Sequence, residues 1–213
     1  MSFKFGLLPV TALQQNCALV WDDDTKIGAV IDPGGDVELI LDAIKQMQLT
    51  VTDIFLTHGH FDHAGGAEDL AKALDIRITG PGIEDKFLLD RLAEDGLRYG
   101  ITGQNCQPGR WLTHGDTIKM GGMTFNVRHC PGHTPGHMVF LCPTLKFGFV
   151  GDVLFNGSVG RTDLGDYGSH EQLISSIERE LLTLPDDFTF VCGHGPGSSI
   201  GRERHANPFL QGS

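Results

Sequence analysis

The chain has 213 residues, of which 40% are hydrophobic and 20% are charged, the proportions of an ordinary folded domain. Because single sheet-based domains commonly reach ~200 to 250 residues, we expect residues 1–213 to form one domain. The formal net charge of -11 argues against DNA or RNA as a partner, since phosphate binding requires clustered cations.

The amino terminus and the cysteines bear on the cellular compartment. The first ten residues, MSFKFGLLPV, lack the basic start, long apolar run and cleavage site of a signal peptide. No apolar stretch approaches the ~18 residues that a membrane span needs. The 5 cysteines are odd in number and form no Cys-x-x-Cys pair, which indicates buried or free thiols in a reducing compartment. We expect a cytoplasmic protein without a membrane partner; the sequence leaves its oligomeric state open.

Short apolar runs and helical spacings alternate in the first half of the chain. The apolar runs predict strands at 3–10, 16–21, 26–31, 51–56 and 76–79, and Asp32-Pro33-Gly34-Gly35 reads as the stop of the third strand. Apolar residues that recur with helical spacing predict helices at 36–48, 67–74 and 83–99.

The second half repeats the order of strands followed by a helix. Strands are predicted at 110–113, 117–119, 123–129, 137–141 and 146–150, each bounded by Gly, Pro or Asn. A helix is predicted at 169–182, with Ser169 and Gln172 in the positions of a capping box, and a last strand at 188–191. The simplest organisation is one α/β domain built from two strand-then-helix halves.

A cluster of ionisable residues follows the strand predicted at 51–56. It reads His58-x-His60-x-Asp62-His63. In extended backbone, residues two apart point the same way, so His58 and His60 can bind one ion. The turn then carries Asp62 and His63 toward a second position. We interpret this motif as a metal site on a loop that a buried strand positions.

Three more ionisable residues lie beside predicted strands and next to glycines. They are His133, Asp152 and His194. Together with the first motif they form a set of nitrogen and oxygen ligands without thiolate, which suits zinc, iron or manganese. We expect one or two divalent ions, with zinc as the first choice and iron or manganese as alternatives.

The order of these residues resembles the signature of a known superfamily. Thr57-His58-Gly59-His60-Phe61-Asp62-His63, followed by a distant His, Asp and His, resembles the T-H-x-H-x-D-H pattern of the metallo-β-lactamase superfamily. The segments 131–137 and 151–161 are similar to glyoxalase II, particularly its short bacterial members. The resemblance implies a four-layer αββα sandwich with the ions in a groove along one edge of the sheets. It also implies that His58, His60, His133 and Asp152 bind a first ion, and that Asp62, His63, His194 and a bridging Asp152 bind a second.

By this resemblance the enzyme cleaves a glutathione thioester, S-D-lactoylglutathione, to D-lactate and glutathione, a step of methylglyoxal detoxification. Attack by a metal-bound hydroxide that Asp62 orients is the implied chemistry. Such a site suits thioesters because the departing thiol has a pKa of only about 8.5. Arg161 is expected to bind a glutathione carboxylate. A surface arginine paired with Asp163 is the alternative interpretation of that residue, and Arg202 and Arg204 are further candidates.

Three other functions are compatible with parts of the pattern. A persulfide dioxygenase of the same fold would use one Fe(II) ion on glutathione persulfide, held by two histidines and Asp152. A β-lactam amidase is disfavoured by the cytoplasmic signals. A binding module with a structural metal is disfavoured because structural zinc sites are usually closed and contain thiolates.

Overall fold

The computed structural model describes residues 2–211, and Met1, Gly212 and Ser213 of the predicted domain 1–213 lie outside the described residues. Two sheets dominate this part of the chain. The first has the order β1-β2-β3-β4-β5 and contains β1 (Phe3–Val10), β2 (Gln15–Asp22), β3 (Ile27–Ile31), β4 (Thr50–Phe55) and β5 (Arg77–Thr79). The second has the order β13-β12-β9-β8-β7-β6 and contains β6 (Thr117–Met120), β7 (Met123–His129), β8 (Met138–Cys142), β9 (Phe147–Phe149), β12 (Thr189–Val191) and β13 (Ser198–Ser199). β10 (Leu154–Phe155) and β11 (Ser158–Val159) form a separate two-stranded ribbon.

Helices cover the outer faces of the two sheets. α1 (Val37–Gln46) and α3 (Ala67–Leu74) pack on the first sheet, and α6 (His170–Glu180) packs on the second. The others are short: α2 (Phe61–Ala64), α4 (Lys86–Leu89), α5 (Leu92–Leu97) and α7 (Ile200–Ala206). No helix in the described range is long and apolar enough to cross a membrane.

Alternating side chains explain why the sheets pack face to face beneath two helical layers. In β2, Ala18 and Val20 belong to the core between the sheets, whereas Leu19 packs in the core under α1 and α3. In β8, Phe140 lies between the sheets and Leu141 meets α6. Successive residues of a strand point to opposite faces, so strands with apolar residues at every position are buried on both sides. The predicted four-layer αββα arrangement is confirmed.

The helix predicted at 83–99 is wrong as a single element. The structure has a 3₁₀ turn at Ile83–Asp85, followed by α4 and α5. The Asn105 side chain holds the break open, because it accepts a hydrogen bond from the Ala93 amide at 3.0 Å and donates to the Asp90 carbonyl at 2.5 Å. This contact from a distant loop satisfies backbone groups that a continuous helix would have paired internally.

The strand predicted at 110–113 is also wrong. Only Arg110 pairs, as an isolated bridge to Thr79, since no long strand runs alongside in the described structure. The prediction ended at 188–191 and therefore omitted β13 and α7, which Ser199 caps by accepting a hydrogen bond from the Arg202 amide. The other predicted strands and helices are present, with each bound within two residues of its prediction.

Candidate metal centre

The seven predicted side chains come from loops at strand ends. The first loop follows β4 and leads into α2, and the second lies between β7 and β8. The third loop follows β9, and the fourth follows β12. β9 and β12 are parallel, so their carboxyl ends lie at one edge of the sheet. The structure brings the residues from all four loops together: His58, His60, Asp62, His63, His133, Asp152 and His194.

The first group of donor atoms belongs to His58, His60 and His133. One nitrogen from each ring lies within 4.8 Å of the others, the spacing of ligands around a single ion. His58 Nε2 and His60 Nδ1 are 3.1 Å apart. The residues two apart in the motif therefore share one position, as the extended loop predicts.

The second group belongs to Asp62, His63 and His194. Asp62 Oδ2 lies 3.2 Å from His194 Nε2 and 4.0 Å from His63 Nε2. Asp152 lies between the two groups, since its carboxylate is 3.3 Å from His63, 3.5 Å from His133 and 3.7 Å from His194. One carboxylate can thus face two ions at once.

Hydrogen bonds from the Nδ1 atoms fix the orientation of the His133 and His194 rings. His133 Nδ1 donates to the Arg161 carbonyl at 2.7 Å, and His194 Nδ1 donates to the Leu13 carbonyl at 3.2 Å. These bonds leave Nε2 of each ring free for an ion. Metal-binding histidines almost always use the second ring N–H in this way.

Asp32 has a supporting role of the same kind, which the sequence pattern did not reveal. Its carboxylate accepts from His63 Nδ1 at 2.9 Å, from the Thr57 amide at 2.7 Å and from the Thr57 hydroxyl at 2.6 Å. Thr57 Oγ1 in turn lies 3.0 Å from His58 Nδ1. Asp32 and His63 join His58 in a further cluster of possible ligands, but the oxygens of Asp32 are already used by these donors.

Three atoms at the centre lack an aligned hydrogen bond among the described residues, although two of them, on His63 and Asp152, lie 3.3 Å apart. They are His63 Nε2, His133 Nε2 and Asp152 Oδ1, and all three are buried. A buried polar atom without a partner costs roughly 1–3 kcal/mol. Divalent cations between them would satisfy all three, so the donor set fits a metal centre.

The pKa values of the histidines at the centre shift in opposite directions. Burial and the neighbouring histidines hold the pKa of His58 well below its usual value, and burial with His133 lowers that of His60 to about 3. Burial also lowers the pKa of His63, but the carboxylates of Asp152 and Asp62 outweigh it and raise the net value well above the usual one. Neutral imidazoles are the form that binds metal.

Comparison with known proteins decides the family. The family model described as the metallo-beta-lactamase superfamily matches residues 10–194. The chain belongs to this superfamily. The curated relative named hydroxyacylglutathione hydrolase GloC, from Haemophilus influenzae, is 45% identical over 206 residues, which are 96% of each chain. The predicted resemblance to glyoxalase II and the predicted hydrolase class are confirmed.

Several solved structures share the fold of this chain. The structure titled BLEG-1 B3 metallo-beta-lactamase has a TM-score of 0.89 at 36% identity, with 98% of this chain and 100% of that chain covered. TTHA1623 in a di-iron-bound form has a TM-score of 0.85 at 36% identity, covering 96% and 100%. ETHE1 from Myxococcus xanthus has a TM-score of 0.78 at 28% identity, covering 99% and 85%.

Asp85 joins the two loops of the first histidine group, and no sequence pattern predicts this role. Its buried carboxylate accepts from the Gly59 amide at 2.8 Å, from the Thr134 hydroxyl at 2.7 Å and from the Gly136 amide at 2.5 Å. Burial raises the pKa of Asp85 to about 6, although these three donors lower it. Gly59 lies between His58 and His60, so Asp85 fixes their loop against the loop of His133.

His137 also supports the centre, beyond the seven predicted residues. Its ring stacks on that of His58 with centroids 4.6 Å apart and an angle of 14°. Its Nε2 accepts from the Asp152 amide at 3.1 Å. His137 therefore contacts two of the predicted ligands at once.

A cavity of about 990 Å³ opens over the centre and is lined by His60, Asp62, His133, Asp152 and His194. Pockets of ~300–1,000 Å³ hold small-molecule ligands, so the cavity has room for more than a short acyl group. Tyr167 lines it as well, and its hydroxyl lies 3.0 Å from His60 Nε2.

Arg161 lines the same cavity with an exposed side chain. Its Nε donates to Asp163 Oδ1 at 2.9 Å and its Nη2 donates to Asp163 Oδ2 at 3.1 Å. The pairing considered from the sequence is present, and a role of Arg161 in substrate binding stays a prediction. Arg202 and Arg204 lie on α7 and are outside the residues that line the cavity.

Proposed function

We propose that the chain is a metal-dependent thioester hydrolase that cleaves S-D-lactoylglutathione to D-lactate and glutathione. The observation that carries this proposal is Asp152, set between two groups of three donors at the floor of an open cavity. The 45% identity to a protein named hydroxyacylglutathione hydrolase supports the choice of substrate.

We propose that His58, His60, His133 and Asp152 hold a first ion, and that Asp62, His63, His194 and Asp152 hold a second. A divalent ion lowers the pKa of a bound water from ~15.7 to about 7 and polarises a carbonyl. Zinc is the first choice for this nitrogen and oxygen donor set, with iron or manganese as alternatives. The di-iron form of TTHA1623 supports iron as one of them.

Asp62 orients the attacking water by accepting one of its hydrogen bonds. Burial alone would raise the pKa of Asp62, but His63 and the hydrogen bond from His194 lower it below the usual value. Its carboxylate is therefore ionised at neutral pH and can accept. The departing group is a thiolate, whose parent thiol has a pKa of about 8.5, so the reaction needs no strong general acid.

The proposed compartment is the cytoplasm, where this reaction would serve methylglyoxal detoxification. All five cysteines are free and buried, as the sequence predicts. Burial raises the pKa of Cys192 to about 11 and that of Cys106 to about 12, so these thiols are unreactive at neutral pH. A reducing compartment suits such a set.

The test is release of free thiol from S-D-lactoylglutathione by the purified protein. We expect kcat/KM above ~10⁴ M⁻¹s⁻¹, where functional enzymes begin. His58→Ala removes activity and bound metal together, because it deletes a ligand of the first ion. The persulfide dioxygenase alternative predicts instead oxygen consumption with glutathione persulfide and no thioester cleavage.

A further inference from the structure

Two segments form walls of the cavity beside the centre. The segment that contains α4 and α5 contributes Phe87, Arg91, Arg98 and Tyr99, and the loop 161–167 contributes Arg161 and Tyr167. The walls meet where the Phe87 ring packs edge-on against the Tyr167 ring, with centroids 5.3 Å apart. Both walls thus border one space above the donor atoms.

The arginines of the two walls form the rim of the cavity, and each of them lies beside a carboxylate. Arg91 Nη2 lies 3.3 Å from Asp95 Oδ1, and Arg98 Nη2 lies 2.8 Å from Glu94 Oε1. The side chains of Arg91 and Arg98 are 49% and 60% exposed. Exposed ion pairs stabilise a protein by only ~0–1 kcal/mol, so either partner can exchange for a ligand charge at little cost.

The charges along the rim bear on which ligand the cavity can bind. Each cationic group has a carboxylate beside it, and Asp95 and Asp166 line the cavity as well. A ligand with several phosphates would bring its negative charges against these carboxylates. A ligand with both carboxylates and an ammonium group would find a partner for each charge.

We propose that Arg91 and Arg98, which line the same cavity as Arg161, extend the expected carboxylate site at Arg161 into a subsite for a zwitterionic thiol carrier. The carboxylates of the carrier bind the arginines, and its ammonium group binds Asp95 or Asp166. This inference rests on the proposed hydrolysis of a glutathione thioester, since glutathione carries two carboxylates and one ammonium group. Guanidinium groups suit this role because they bind carboxylates in a bidentate manner.

The test compares three S-lactoyl thioesters with the metal-loaded enzyme: those of glutathione, of coenzyme A and of neutral N-acetylcysteamine. We expect the lowest KM for glutathione. In the double variant Arg91→Gln, Arg98→Gln, and separately in Arg161→Gln, we expect KM for the glutathione thioester to rise at least tenfold with kcat unchanged. Kinetics with the neutral thioester should stay within about twofold.

The matched control is Arg110→Gln, another half-exposed arginine in an ion pair, with Asp116, that is outside the cavity lining. It should leave KM unchanged. A second readout needs no turnover: calorimetric binding of S-methylglutathione, which the double variant should weaken at least tenfold. An equal KM for glutathione in the double variant and the wild type, or a preference for coenzyme A, would overturn the subsite.

The two proposals fail in different ways. If none of the three thioesters is hydrolysed, the proposed function is wrong, and S-methylglutathione binding still decides the subsite. If all three are hydrolysed and the arginine variants match the control, the function stands and the subsite is wrong.

Discussion

At the scale of single residues, the centre consists of groups whose properties depend on their neighbours more than on their own type. His58 and His63 are both buried imidazoles in one motif, yet the pKa of the first is lowered and that of the second is raised. The difference lies in the facing groups, since histidines surround His58 and carboxylates face His63. Metal binding should therefore be linked to proton release mainly through His63.

The first prediction concerns this proton. In the metal-free protein, Asp152, Asp62 and Asp32 raise the pKa of His63 well above its usual value despite burial, so we expect this ring to be protonated at neutral pH. As the pH rises toward that pKa, the protonated fraction falls and competes less with the ion. We expect the affinity for the second ion to rise with pH, by up to about tenfold per unit, and protons to be released on binding. Calorimetry in two buffers of different ionisation enthalpy measures the release.

A matched variant sharpens this measurement. His63→Asn should release fewer protons on binding zinc, whereas His205→Asn, at an exposed position on α7, should behave as the wild type. Zinc binding without proton release at pH 7, or an affinity that falls as the pH rises, would show that His63 is neutral in the metal-free protein.

The second prediction concerns Asp85, which holds together the loops of the predicted ligands without being one of them. Asp85→Asn retains the size of the side chain, but one of its two terminal atoms becomes a donor that faces donors. We expect the loops of His58 and His133 to loosen and the affinity for the first ion to fall ~10–100-fold, the effect typical of losing a support of a ligand. Competition with a chromophoric chelator measures the dissociation constant.

Asp22→Asn is the control, and it should leave the affinity for the first ion unchanged. Asp22 is also buried and accepts two backbone N–H groups, from Ser2 and Asp24. It ends β2, whose other end, Gln15, bridges to His194. Seven residues of strand place the two ends about 23 Å apart. Similar ion affinities in Asp85→Asn and Asp22→Asn would contradict the positioning role.

At the scale of elements, strand ends and close backbone contacts set the geometry of the centre. The loop of His133 touches α6 through Gly132, whose φ is 134°. A Cβ at this position would lie 2.3 Å from the Leu173 amide nitrogen. Real Cβ atoms do not approach backbone so closely, so the loop can lie against the helix only with glycine here.

Gly132→Ala should therefore act on both stability and ion binding. We expect the free energy of unfolding of the metal-free protein to fall by about 2 kcal/mol or more, from backbone strain and the clash together. Because His133 is the next residue, ion affinity should fall as well. Urea denaturation and chelator competition measure the two effects.

The control separates strain from the clash. Gly115 also has a positive φ, 90°, but a Cβ there meets nothing within 4 Å in the described structure. Gly115→Ala should cost about 1 kcal/mol and leave ion binding unchanged. If the two alanine variants lose the same stability and bind zinc equally, contact with α6 does not position His133.

At the scale of the whole molecule, the sequence predicted what depends on local pattern and missed what depends on tertiary contact. The strands and the His58 to His63 motif are local patterns, so the sequence alone predicted them. The four layers and the division of the seven candidate ligands between two ions were implied only by the resemblance to the metallo-β-lactamase superfamily. Asp85 contacts loops 26 and 51 residues away, and only the fold brings them together. The helical pattern over 83–99 is real, but Asn105 interrupts it from outside.

The arginines that line the cavity also differ in how far the sequence predicts them. Arg161 was found because it lies in a segment similar to a known family. Arg91 and Arg98 lie in no motif, and only the fold, which places α5 beside the cavity, makes them candidates. The residues proposed for substrate specificity are thus the part of the site that the sequence predicts least.

The central claim is that ions held by the seven side chains perform thioester hydrolysis. The most direct measurement removes the ions with a chelator and follows thiol release from S-D-lactoylglutathione as Zn(II), Mn(II) or Fe(II) is added back. We predict that activity disappears on chelation and returns in proportion to bound ion, reaching a plateau at one or two ions per chain. Activity that survives removal of the ions, or refilled sites that release no thiol, would contradict the account.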